Sequence, residues 1–78
     1  RPMLPDEDRA VGHRLAGEWL LRSGERDALA LARHFSLGND PDRAAEWLLA
    51  AADQALDAND FAGAIEHATR AIALDPPF

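Results

Sequence analysis

Residues 42–76, DRAAEWLLAAADQALDANDFAGAIEHATRAIALDP, decide how this chain folds. The second half of the stretch carries apolar residues at steps of three and four, which place them on one face of a helix. They are Phe61, Ala64, Ile65, Ala68, Ala71 and Ile72. A turn signal at Asn59-Asp60 precedes this helix and prolines follow it, so the stretch predicts two helices folded back on each other.

Apolar periodicity and helix-stop signals divide the whole chain into four helices. They are predicted at about 6–23, 25–37, 41–58 and from an Asp60 cap to about Leu74, with Gly24 and Gly38 closing the first two. The apolar positions expected on the inner faces of the first three helices are Val11, Leu15, Trp19, Leu20, Ala28, Leu31, Ala32, Phe35, Ala44, Leu48, Ala51, Ala52 and Ala55. Because only short loops join the helices, we expect two antiparallel hairpins.

The composition favours an all-α chain that forms one small domain. Alanine is the commonest of the 78 residues, and β-branched residues and aromatics are few, which favours helix over sheet. The absence of cysteine excludes disulfides and thiolate zinc sites. A core of this size is marginal, so stability must come from helix packing or from a neighbouring segment.

The charge pattern bears on partners and on location. The net charge is −6, no lysine is present and the arginines are scattered, so nucleic acid is not an expected partner. No apolar run approaches the roughly 20 residues that span a membrane, so we expect no membrane segment and a cytoplasmic setting. Because the chain opens at Arg1 with Met3 inside it, we expect a piece of a longer protein.

No constellation of reactive residues is present, so we expect neither an enzyme nor a cofactor or metal site. Histidines 13, 34 and 67 lack HExxH and Glu-x-x-His spacing and are interpreted as surface or boundary residues. Asp53 and Asp57 share a helix face with Glu46, and a solvated charged face is favoured over acid–base chemistry. Trp19 and Trp47 could anchor a partner, but packing inside the domain is favoured.

The stretch from Asp42 to Pro76 resembles a tetratricopeptide repeat, a helix–turn–helix unit of about 34 residues. The run AIALDP matches the usual end of such a repeat. The resemblance implies an all-α superhelix of α–α hairpins, with residues 41–76 as one repeat and residues 6–37 as a degenerate hairpin. The positions that carry the pattern are Leu48 in place of the common tryptophan, Ala52, Ala64, Ala71 and the closing Pro76.

In this family the exposed face of the first helix lines a concave groove. The resemblance therefore implies a protein-binding floor made of Glu46, Leu49, Ala50, Asp53 and Leu56. Repeats that clamp acidic C-termini of chaperones need Lys and Asn on this groove, whereas this chain has Leu49 and Asp53. We therefore expect a protein or peptide partner that is basic or amphipathic, and not an acidic one.

Residues 13–75 also resemble the helical-repeat region of large bacterial signalling proteins, where such repeats follow a serine/threonine kinase or ATPase module. That similarity implies a non-catalytic scaffold that binds protein. The alternative is a structural spacer or regulatory appendage of a kinase or ATPase module with no ligand of its own. Repeat arrays normally need at least three units or a cap, so an apolar face near the last helix is expected to be covered by another copy, another segment or exchanged helices.

Overall fold

Four α-helices make up the computed structural model, which describes residues 6–74. They are α1 (Asp6–Arg22), α2 (Ala28–Leu37), α3 (Pro41–Asp57) and α4 (Phe61–Leu74), and residues 6–74 contain no strand. The predicted all-α class is confirmed. Each helix packs against the next along the chain, α1 on α2, α2 on α3 and α3 on α4. Pro76 lies outside the described residues.

Contacts between the helices show that neighbours run antiparallel. Gly38, just after α2, lies against the backbone of Arg14 in the middle of α1. At the other end, the Gln54 side chain near the end of α3 donates to the Arg26 carbonyl (2.7 Å) and accepts from the Ala28 amide (3.3 Å) at the start of α2. Gly17, which follows Arg14 in α1, lies against Phe35, which precedes Gly38, and the first turns of α3 face the last turn of α4, so these pairs are antiparallel as well.

The first turn explains why α2 begins three residues later than predicted. Gly24 has a φ of 86°, and the Glu25 amide donates to the Leu20 carbonyl at 2.9 Å, a bond that closes α1. The Glu25 amide is therefore bound to the last turn of α1, and Glu25 does not begin α2. Asp27 is the N-cap, because its carboxylate accepts from the amides of Leu29 and Ala30.

The other two turns share one Asn-Asp design. Asn39 and Asn59 take left-handed φ values of 57° and 60°, and the next residues, Asp40 and Asp60, each accept from the amide three positions on. Gly38 has a φ of −85°, so it does not provide the left-handed turn that closes α2. Its lack of a side chain is needed for another reason, which is the close approach of α1.

The core lies between α2, α3 and α4, with the half-buried Leu20 and Leu21 of α1 packed against it. One cluster joins Leu31 and Phe35 of α2 to Ala44 of α3, and a second joins Ala32, Leu48 and Ala71 from all three helices. Trp47 and Leu74 are partly buried and pack against both clusters. The predicted inner faces of α2 and α3 are confirmed by burial of Ala28, Leu31, Ala32, Phe35, Ala44, Leu48, Ala51 and Ala52, with Ala55 half-buried.

The predicted inner face of α1 is wrong for three of its four residues, since only Leu20 is half-buried and packs against the core. Val11, Leu15 and Trp19 are exposed, and Trp19 retains 60% of its accessible surface. The helix instead packs through Ala10 and Gly17, both buried, since small residues let its backbone reach α2. Packing inside the domain was also the favoured interpretation of Trp19, and it applies to Trp47 alone.

Candidate protein-binding groove

A groove of about 300 Å³ runs between α3 and α4. Four residues of α3 and two of α4 line it: Asp42, Ala45, Glu46, Leu49, Ala71 and Ile72. Ala71 is buried and Ala45 is half-buried, whereas the four larger lining side chains are exposed. The groove therefore has an apolar floor with walls from two antiparallel helices.

The apolar side chains of the groove are open to solvent. Leu49 keeps 54% of its accessible surface, and Ile72 keeps 72% although the residue before it, Ala71, is buried. Full burial of an exposed aliphatic side chain gains roughly 1.5–3 kcal/mol, and burial of the surface that these two side chains still expose gains a corresponding part of it. The two side chains are therefore suited to contact with an apolar partner.

The acidic side of the groove comes from two carboxylates one helical turn apart on α3. Asp42 and Glu46 are both exposed, and neither belongs to an ion pair within residues 6–74. The ion pairs in that range join Arg43 to Glu18 (3.1 Å) and to Asp40 (3.4 Å). No basic side chain within residues 6–74 therefore neutralises the negative charge of these two carboxylates by an ion pair.

The structure places the predicted groove residues along one face of α3 but not in one cavity. Glu46 and Leu49 line the groove, while Ala50 is half-buried and Asp53 and Leu56 are exposed farther along the helix. The residues named for the repeat pattern that are described, Leu48, Ala52, Ala64 and Ala71, are all buried.

Asp42, Ala45 and Ile72 line the groove although they were not predicted to do so. Asp42 is one turn before Glu46, so extending the predicted face by a single turn would have found it. Ile72 was recognised as part of an apolar face of α4. Its position opposite Leu49 depends on how α4 is aligned along α3, and the apolar periodicity of one helix does not determine that alignment.

The other candidate residues of the described part of the chain lie outside the groove. Residues 6–74 hold no group of three or more His, Cys, Asp or Glu side chains placed to share a metal ion. Asp53 and Asp57 are exposed, as expected of a charged face. His67 is half-buried, and its Nδ1 atom has no hydrogen-bond partner.

Comparison with models of protein families, with curated proteins and with solved structures finds no match for this chain. The resemblance to tetratricopeptide repeats therefore stays a prediction from the sequence pattern. Among the helices of residues 6–74, none has the length and apolar character needed to cross a membrane.

Proposed function

We propose that this chain is a non-catalytic protein-interaction module of tetratricopeptide type, within a larger bacterial signalling or regulatory protein. Its ligand is a basic amphipathic helix of a partner protein, which docks against α3 and α4. The observation that carries the proposal is the groove itself, where Leu49 and Ile72 are exposed beside the carboxylates of Asp42 and Glu46, which no ion pair within residues 6–74 uses.

The chemistry of the groove selects this class of partner. An amphipathic helix buries its apolar face in a groove through residues at i, i+3, i+4 and i+7. Carboxylates at the edge attract Lys and Arg beside that apolar face and raise the cost of binding an acidic peptide. The net charge of −6 acts in the same direction at longer range.

The surface around the groove is long enough for such a helix. Leu56 lies two turns beyond Leu49 on the same face of α3, and Ile65 and Phe61 lie two and three turns before Ile72 on the same face of α4. All three are exposed, at 49%, 67% and 61%. Because α3 and α4 are antiparallel, these positions extend the groove toward the turn between the two helices.

A binding test with synthetic peptides follows from this arrangement. The probe is a fluorescent amphipathic peptide with Leu at helical spacing and Lys or Arg on its other face, compared with a peptide in which Glu replaces the basic residues. Anisotropy should show binding of the basic peptide and at least about ten-fold weaker binding of the acidic one. Sedimentation at the same protein concentration establishes that the chain under test is a single species.

Two variants locate the binding site on the groove. Glu46→Arg and Leu49→Ser should each lower the affinity for the basic peptide about ten-fold, which is a loss of about 1.4 kcal/mol of binding free energy. Matched controls are Glu66→Arg and Leu37→Ser, since both residues are exposed and neither lines the groove. Equal effects of the groove and control variants, or equal affinity for both peptides, would contradict the proposal. Absence of binding would favour the spacer role beside a kinase or ATPase module.

A further inference from the structure

Two histidines face each other across the contact between α1 and α2. His13 of α1 and His34 of α2 are half-buried, with their Nδ1 atoms 3.4 Å apart. Their ring centroids are 5.6 Å apart, with an angle of 36° between the ring planes. Neither histidine belongs to the groove between α3 and α4.

The separation of the two nitrogens is long for a hydrogen bond and suitable for a shared metal ion. A nitrogen donor usually lies about 2.7–3.2 Å from its acceptor. Two imidazole nitrogens, each about 2.0–2.1 Å from one tetrahedral ion, are about 3.3–3.4 Å apart. We propose that His13 and His34 together bind a divalent transition-metal ion such as Zn²⁺, Ni²⁺ or Cu²⁺ through their Nδ1 atoms.

The surroundings allow such an ion to enter and leave. The pair borders an open cavity of about 540 Å³ whose other lining residues include Leu29, Leu37, Asp27 and Arg33. Asp27 already caps α2, and the positive charge of Arg33 opposes a cation. The site therefore has two protein ligands, with its other coordination positions open to solvent. Affinity should follow the usual order for nitrogen ligands, with Cu²⁺ above Ni²⁺ and Zn²⁺.

An ion held by this pair would fasten α1 to α2. The two ligands are on different helices and 21 positions apart in the chain, so the unfolded chain does not hold them together. Metal that binds the folded form more tightly must raise the melting temperature. At a free metal concentration about 100 times Kd, the increase in Tm expected for a chain of this size is about 10 °C or more.

The test uses the whole 78-residue chain, with Zn²⁺ and Ni²⁺ chlorides as the probes. Melting curves at pH 7 should move upward with each metal, and calorimetry should give one ion per chain. His13→Asn and His34→Asn should each abolish most of the shift. His67→Asn is the matched control and should retain it, because His67 lies on α4, away from the pair.

Nitrogen-15 spectra of the histidine rings give a second measurement that does not depend on the stability of the variants. Zinc should shift the Nδ1 resonances of His13 and His34 and leave those of His67 in place. Shifts at only one of the pair, an equal response at His67, or two chains per ion in sedimentation would overturn the proposal. So would the absence of a melting shift with millimolar metal.

Discussion

Arg43 connects three of the four helices through one side chain. Its guanidinium contacts the Glu18 carboxylate of α1 at 3.1 Å and lies 5.1 Å from the centre of the Phe35 ring of α2. It also contacts Asp40, the cap of its own helix, at 3.4 Å. A single exposed ion pair is worth roughly 0–1 kcal/mol, but here two pairs and a cation–π contact share one cation. Arg43 therefore favours one arrangement of α1, α2 and α3.

Gly17 shows how little space separates α1 from α2. A Cβ atom added at Gly17 would lie 3.0, 3.1 and 3.3 Å from three atoms of the Phe35 ring. Phe35 is fully buried, so its ring can move only by disturbing the core. Gly12 is on the same helix, and a Cβ added there meets nothing within 4 Å.

We expect opposite effects from alanine at these two glycines. Gly12→Ala should stabilise the fold by about 0.5–1 kcal/mol, because alanine is the better helix former. Gly17→Ala gains the same preference but overfills the contact, at a cost of about 1–3 kcal/mol. It should therefore be less stable than the parent chain. Urea unfolding midpoints measure both effects, and a Gly17→Ala variant as stable as Gly12→Ala would contradict the contact.

At the scale of elements, the α2–α3 and α3–α4 turns have the same Asn-Asp conformation but different side-chain contacts. In each, a left-handed Asn ends one helix and an Asp caps the next. Asp40 is partly shielded and also pairs with Arg43, whereas Asp60 is exposed and has no ion-pair partner within residues 6–74. The α2–α3 turn should therefore contribute more to stability than the α3–α4 turn.

Substitution of the two caps separates their contributions. Asp60→Ala should cost about 1 kcal/mol, the usual value of an N-cap, and Asp40→Ala should cost more because its ion pair is lost as well. Asn keeps the capping oxygen but has no charge. Asp60→Asn should therefore be nearly neutral, while Asp40→Asn should still be destabilising because the ion pair with Arg43 is lost. Chemical unfolding with an unchanged m-value is the measurement. Equal costs at the two turns would show that the Asp40–Arg43 pair adds nothing.

The sequence predicts the number and order of the helices well but not which face of α1 packs. Repeated apolar spacing and the Asn-Asp signals locate the helices, because these depend on neighbours along the chain. Val11, Leu15 and Trp19 form the more apolar face of α1, yet Gly17 packs because it fits the Phe35 ring. That fit is between residues distant in sequence, and helical periodicity does not record it.

The sequence predicts the α3 side of the candidate groove but not its α4 side. Glu46 and Leu49 follow from the helical face of α3 together with the resemblance to a repeat. Ile72 enters only when the register of α4 on α3 is known, because the groove is shared between two helices. The exposed apolar side chains of a helix thus identify a surface, while the opposite wall depends on tertiary packing.

At the scale of the whole molecule, the two outer helices, α1 and α4, contribute unequally to the buried core. The buried members of both core clusters come from α2, α3 and α4, and α4 contributes Ala71. The first helix packs on α2, adds the half-buried Leu20 and Leu21 to the edge of one cluster, and contacts α3 through the Glu18–Arg43 ion pair. Both outer helices also expose apolar faces, at Val11, Leu15 and Trp19 and at Phe61, Ile65 and Ile72.

The side chain of Gln54 bonds to the Arg26 carbonyl in the α1–α2 loop and to the Ala28 amide at the start of α2. Because these bonds hold the end of that loop to α3, we expect α1 to detach as a unit while the remaining three helices stay folded. Amide hydrogen exchange should show lower opening free energies in α1 than in α2 and α3, with the boundary near Gly24. Gln54→Ala should lower the protection of the Ala28 amide toward that of α1. Equal opening free energies in all four helices would mean that the chain opens only as a whole.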